Sequence, residues 1–131
     1  MSAQNRRVLV IGGETAVGRA LAVGLAEAGA DVAIASLSKD TKAEFAINSA
    51  LNELWAVGRR GVALAIDASD AAQVRGAVAH AEAELGGLDA VVVVGQTVAR
   101  EALEGRKLIE VAAGADAGEA VRLAGEAIGQ E

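Results

Sequence analysis

The sequence predicts a three-layer α/β domain, doubly wound around a mostly parallel sheet of about five strands. Two observations carry that prediction. Short apolar runs alternate with segments of helical period from one end of the chain to the other, which is the order of a parallel sheet crossed by helices. The core must also be small-grained, because the chain has one Phe, one Trp, one Met and no Tyr although 53% of its residues are hydrophobic. Ala, Val, Leu and Ile let helices approach a sheet closely, so the crossovers are expected to pack flat against it, with right-handed connections.

Element by element, Val8–Ile11 is a continuous apolar run closed by Gly12 and Gly13, as in a strand buried on both faces. Residues 16–28 carry Val17, Leu21, Leu25 and Ala28 on one helical face and stop at Gly29. Val32–Ala35 is a second strand. Lys39–Val57 places Phe45, Ile47, Leu51, Leu54 and Trp55 at helical spacing before Gly58, with Trp55 expected in the core or at an interface. Gly61–Ile66 is the third strand, ending at Asp67. A helix over Asp70–Leu85 turns Val74, Ala77, Val78, Ala81 and Leu85 inward and leaves His80 solvated. Leu88–Val94 is the fourth strand, Thr97–Leu103 has room for about two helical turns, Lys107–Ala112 is the fifth strand, and Asp116–Ile128 is the last helix.

At 131 residues, the chain fits one domain spanning 1–131, with no linker, repeat or low-complexity tract. The net charge is −6, and basic residues gather no more densely than in pairs such as Arg59-Arg60, so no nucleic-acid partner is expected. Without Cys there is no disulfide, thiolate zinc site or thiol nucleophile, and no metal site is expected. The basic start Met1–Arg7 is followed by too short an apolar run for a signal peptide, and no stretch reaches the length of a membrane span. A cytoplasmic protein is expected.

The most informative segment is Ile11-Gly12-Gly13-Glu14-Thr15-Ala16-Val17-Gly18-Arg19-Ala20-Leu21-Ala22, where the first strand meets the first helix. There a glycine turn lets the backbone approach a pyrophosphate, while the helix N-terminus offers amide donors and a partial positive charge. The same glycines also serve a plain turn between strand and helix, so both readings stand on the residues alone. Glu14 is expected to face water, since a carboxylate turned inward would repel phosphate.

This segment resembles the T-G-x-x-x-G-x-G turn of the short-chain dehydrogenase/reductase family, with Gly12, Ala16 and Gly18 on the glycine positions and Ile11 in place of the Thr. The likeness continues through Arg59–Asp70, which resembles that family's third strand and its D-V-[ST]-D ending, and through Leu88–Gly95, which resembles its fourth strand. The resemblance implies a Rossmann-like fold and an adenine dinucleotide partner. It implies cofactor-binding positions at Gly12, Gly13, Thr15, Ala16, Val17, Gly18, Asp67, Ala68 and Gly95, with Asp67 toward the adenine. The N-N-A-G ending is replaced by Val93-Val94 before Gly95, and the methyl of Ala16 is expected to narrow the pyrophosphate space.

At the end of the second strand, NAD-binding members carry an acid that holds the ribose hydroxyls. This chain has Ser36-Leu37-Ser38-Lys39 there, so Ser36, Ser38 and Lys39 favour the 2′-phosphate of NADP, with NAD as the alternative. The competing reading is that Ser38-Lys39-Asp40 simply begins the next helix.

The family's catalytic Ser, Tyr and Lys have no counterparts. The sequence contains no Tyr, and Gly105–Gly114 resembles the family's fifth strand with its serines replaced by Ala112 and Ala113. No catalytic residue is therefore assigned, and Glu110 is left as a strand-exit or polar-face residue. Three functions follow: a nucleotide-binding domain without ordinary oxidoreductase turnover; an interaction module that keeps the fold without the ligand; or an oxidoreductase completed by another chain. Apolar surface left by the shortened fourth helix and missing strands is expected to form a homo-oligomer.

Overall fold

A computed structural model describes residues 5–95, 100–103 and 106–129, so the segments 97–99 and 105 of the reading above, and its first four residues, lie outside the described residues. The strands are β1 (Arg7–Ile11), β2 (Asp31–Ala35), β3 (Gly61–Leu64), β4 (Ala90–Val94) and β5 (Leu108–Val111). They form one all-parallel sheet in the order β3-β2-β1-β4-β5. The helices are α1 (Ala16–Glu27), α2 (Thr41–Ala56), α3 (Ala71–Leu85) and α4 (Ala117–Gly129), and a single 3-10 turn covers Arg100–Leu103. The α/β class expected from the sequence is the observed one, with ends within a few residues; β3 is two residues shorter, because Ile66 bonds to a side chain rather than to the ladder.

The unbroken apolar runs belong to the inner strands. Val8, Leu9, Val10 and Ile11 of β1 are fully buried, and all five residues of β4 are buried. Alternation sends Val8, Val10, Val32, Ile34, Val92 and Val94 to a core beneath α1, α2 and α4. Leu9, Ile11, Ala33, Ala35, Val91 and Val93 go to a second core beneath α3 and the 3-10 turn. The edge strand β5 is different: Leu108, Ile109 and Val111 are half-buried and Glu110 is exposed.

Asp40 caps α2 by accepting from the Ala43 amide at 2.7 Å, and Asp70 caps α3 by accepting from the Ala72 amide at 2.9 Å. The helix-start reading of Ser38–Asp40 is therefore realised. On α2, Ile47, Ala50, Leu51 and Leu54 are buried, but Phe45 is 78% exposed and Trp55 is 57% exposed. Phe45 lies two residues before Ile47 and Trp55 one residue after Leu54, so at about 100° per residue both leave the buried stripe. The core placement of Trp55 is corrected accordingly. His80 is exposed, as expected.

Among the described residues, no helix is long and apolar enough to cross a membrane.

Candidate dinucleotide site

The glycine turn is tied to the end of the second strand. Gly12 has φ +104°, a conformation suited to glycine, and the amides of Gly12 and Gly13 both donate to the Ala35 carbonyl at 2.8 and 3.1 Å. Thr15 closes the turn: its Oγ1 donates to the Gly12 carbonyl at 2.7 Å and accepts from the Gly18 amide at 2.9 Å. Its hydroxyl is thus committed to capping α1. A Cβ on Gly13 would overlap the Ile34 side chain, and one on Gly18 would overlap the Gly12 carbonyl, so both glycines are required for strand–helix approach. Val17 is in the core. Ala16 is exposed at the first position of α1 and lines an open groove of about 480 Å³ together with Arg19, Ala20 and Val23.

The first amides of α1, those of Ala16 and Val17, have no intrahelical acceptor and carry the positive end of the helix. No acidic residue sits in the first turn of α1 to neutralise it. Together with the close approach enforced at Gly12, Gly13 and Gly18, this fits a pyrophosphate.

Beyond the turn, the ends of β2 and β3 are stapled. Ser36 is fully buried; its Oγ donates to the Ile66 carbonyl at 3.2 Å and accepts from the Ile66 amide at 2.9 Å. Ser36 is therefore unable to offer a hydroxyl to a 2′-phosphate, and its assignment to that role is withdrawn. The Ala68 amide donates to the Leu37 carbonyl at 3.0 Å, which brings Asp67 and buried Ala68 beside the end of β2. Asp67 Oδ1 accepts from the Ser69 hydroxyl at 2.6 Å and the Ser69 amide at 3.0 Å; these bonds, with Lys39 nearby, hold its carboxyl below the usual carboxylate range.

Ser38 Oγ donates to Asp40 Oδ2 at 3.0 Å, and the Ala43 amide followed by this hydroxyl depresses the Asp40 carboxyl. Lys39 is exposed. Glu14 departs from its expected place in water: its Oε1 and Oε2 accept from the Leu37 amide at 3.1 and 2.9 Å. It also lines a cleft of about 200 Å³ with Ser38, Asp40, Lys42 and Ala43. Reading the sequence alone missed this contact because the acid and its amide lie 23 residues apart; the available signal was an acid in the turn paired with an acid-free end of β2.

At the other end of the site, Gly95 has φ +80°, and its amide donates to the Val111 carbonyl at 2.7 Å. Gly95, Val93, Glu110, Val111 and Ala112 line a cleft of about 180 Å³ at the C-terminal ends of β4 and β5. Ala112 and Ala113, exposed there, present methyl groups. Among the described residues, no group of His, Asp and Glu is arranged to hold a metal ion.

The model of the short chain dehydrogenase family matches residues 6–109. Uncharacterized oxidoreductase YghA of Escherichia coli K12 is 38% identical over 91 residues, 70% of this chain and 30% of that protein. L-rhamnose 1-dehydrogenase (NAD(P)(+)) of a Sphingomonas species is 37% identical over 89 residues, 68% of this chain and 34% of that protein. Among solved structures, a blue fluorescent protein from a metagenomic library in complex with NADPH is 34% identical with a TM-score of 0.64, covering 70% of this chain and 36% of that one. A short-chain type dehydrogenase/reductase from Mycobacterium marinum is 31% identical with a TM-score of 0.64, covering 75% and 38%. The chain thus spans about a third of the length of these relatives, 30 to 38%.

Proposed function

The chain belongs to the short-chain dehydrogenase family, and on that premise we propose that it is a single domain binding a nicotinamide adenine dinucleotide without ordinary oxidoreductase turnover of its own. The observation that carries this reading is the turn Gly12–Gly18: its glycines admit no Cβ at 13 and 18, and it presents the open N-terminus of α1 beside the ends of β1 and β2. When bound, such a cofactor supplies hydride transfer. This chain's residues would hold its two ends: the amides of Ala16 and Val17 the pyrophosphate, Asp67 and Ala68 the adenine side, and Gly95 the nicotinamide side.

Proton transfer is what the chain lacks. In its relatives' chemistry a positioned acid must serve the substrate oxygen, yet the sequence has no Tyr, and Ala112 and Ala113 leave no hydroxyl at the end of β5. Glu110 lines the neighbouring cleft, but as an exposed carboxylate it is not assigned a catalytic role. The NADP preference expected from the sequence keeps only Lys39 and Ser38 in its favour, and Ser38 already donates to Asp40.

Fluorescence titration with NADH, NADPH and ADP tests the proposal. Saturable binding in the micromolar range is expected, with no consumption of either reduced cofactor over a panel of carbonyl compounds. Affinity weaker than millimolar for all three sinks the binding claim, and steady consumption sinks the claim of no turnover.

A second reading, association of two copies, is favoured by one edge of the sheet. Beside β5, Ile109, Val111, Ala115, Ala120 and Leu123 line a groove of about 370 Å³, and Leu123 is 50% exposed. A concentration-dependent dimer in sedimentation, abolished by Leu123→Glu, is the expected result. A cytoplasmic location belongs to the same proposal.

A further inference from the structure

We infer that Glu14 is the residue that selects the cofactor's adenosine half, reading an unphosphorylated ribose and rejecting a 2′-phosphate. The inference rests on the dinucleotide reading above and adds which form is bound.

Dinucleotide-binding α/β domains recognise ribose hydroxyls with an acid at the end of the second strand, about 20 residues beyond the glycine turn. By sequence that acid is missing here, since Ser36 and Leu37 occupy the end of β2. In the fold it is supplied from the glycine turn. The Glu14 carboxylate reaches the amide of Leu37, at 2.9 and 3.1 Å, and so stands at the strand end where the sequence shows no acid. A carboxylate held there accepts hydrogen bonds from vicinal hydroxyls. It meets a phosphate dianion with like charge, and it already uses the Leu37 amide on which an anion would otherwise settle.

The surrounding charges agree. Glu14, Ser38, Asp40 and Lys42 line one cleft, and Lys39 lies close enough to Asp67 to favour its ionised form. Within that cleft two carboxylates, Glu14 and Asp40, meet one ammonium group, Lys42. Of the three groups that favour a phosphate by sequence, two are committed elsewhere, the Ser36 hydroxyl being buried on Ile66 and the Ser38 hydroxyl donating to Asp40, which leaves Lys39.

The experiment is a pair of titrations, NADH against NADPH, repeated with AMP against 2′,5′-ADP so that the nicotinamide plays no part. For the unaltered chain, the unphosphorylated member of each pair should bind at least about tenfold tighter, the loss expected from about 1.4 kcal/mol of repulsion. Glu14→Gln keeps an oxygen that can accept from Leu37 but removes the charge, and it should bring each ratio within about threefold, chiefly by strengthening the phosphorylated ligand. Glu14→Ala should do the same, and circular dichroism establishes that both variants are folded. In the unaltered chain, the Leu37 amide resonance should shift with AMP. Equal or tighter binding of NADPH, or a ratio that Glu14→Gln leaves unchanged, overturns this inference while the dinucleotide reading stands. Failure of all four ligands to bind overturns both.

Discussion

Gly18, in the first turn of α1, sits so close to Gly12 that a methyl group on it would overlap the Gly12 carbonyl and press on Thr15 Oγ1 at 2.9 Å. The obstacle is backbone, which cannot swing aside as a side-chain tip does. Gly18→Ala should therefore lower stability by about 1–3 kcal/mol, the usual cost of overpacking, despite the better helix propensity of Ala. Urea denaturation measures it. A neutral or stabilising outcome would show that the turn opens freely and is no rigid cradle.

Ser36 offers a cleaner separation of structure from ligand binding. Its hydroxyl serves both the amide and the carbonyl of Ile66 in a fully buried position. Ser36→Ala leaves that amide without a partner, at a cost of about 1–3 kcal/mol in the denaturation free energy. The ratio of NADPH to NADH affinity should stay as it was. A change in that ratio without loss of stability would place the hydroxyl in the ligand site instead.

Ser36 and Glu14 also mark where sequence legibility ends. The strands and helices were readable because their signals are local: the all-apolar run of β1, the period of α3, and the caps at Asp40 and Asp70. The turn was readable because glycine spacing is itself the constraint. What escaped depended on distant partners. The Leu37 amide is brought to Glu14 only when β1 and β2 pair, and the Ile66 backbone reaches Ser36 only when β3 has joined β2. Phe45 and Trp55 misled for another reason: apolar character suggested the stripe, although their angular positions lie outside it.

Acid should weaken the fold in part through Asp40 and Asp67. Both are depressed in the folded chain below the value of 3.8, through bonds to Ala43 and Ser38 in one case and Ser69 in the other. A depressed carboxyl contributes stability in full above its unfolded pKa and loses it as pH falls through the folded pKa. The urea midpoint should therefore hold between neutrality and about pH 5, then fall below about pH 4. Asp67→Asn should make the fall shallower. An acid slope that neither Asp40→Asn nor Asp67→Asn changes from that of the unaltered chain would remove both carboxylates from the account.

Two helical glycines should answer the same substitution with opposite signs. Gly24 of α1 faces α4, and a Cβ built on it would lie 2.6 Å from Val121 Cγ1, a branched side chain with little freedom to turn. Gly76 of α3 has nothing within 4 Å of such an atom. Gly76→Ala should gain about 1 kcal/mol from helix propensity alone. Gly24→Ala has the same propensity gain but must force α1 and α4 apart, for a net loss of about 1–2 kcal/mol after overpacking. Val121→Ala in the Gly24→Ala background should recover much of that loss, a favourable coupling that additive mutations would not show. If Gly24→Ala instead stabilises as Gly76→Ala does, α4 is not seated on α1. The core formed by Val92 and Val94 with Ala120, Ala124 and Ile128 would then lack the cover that α4 gives it.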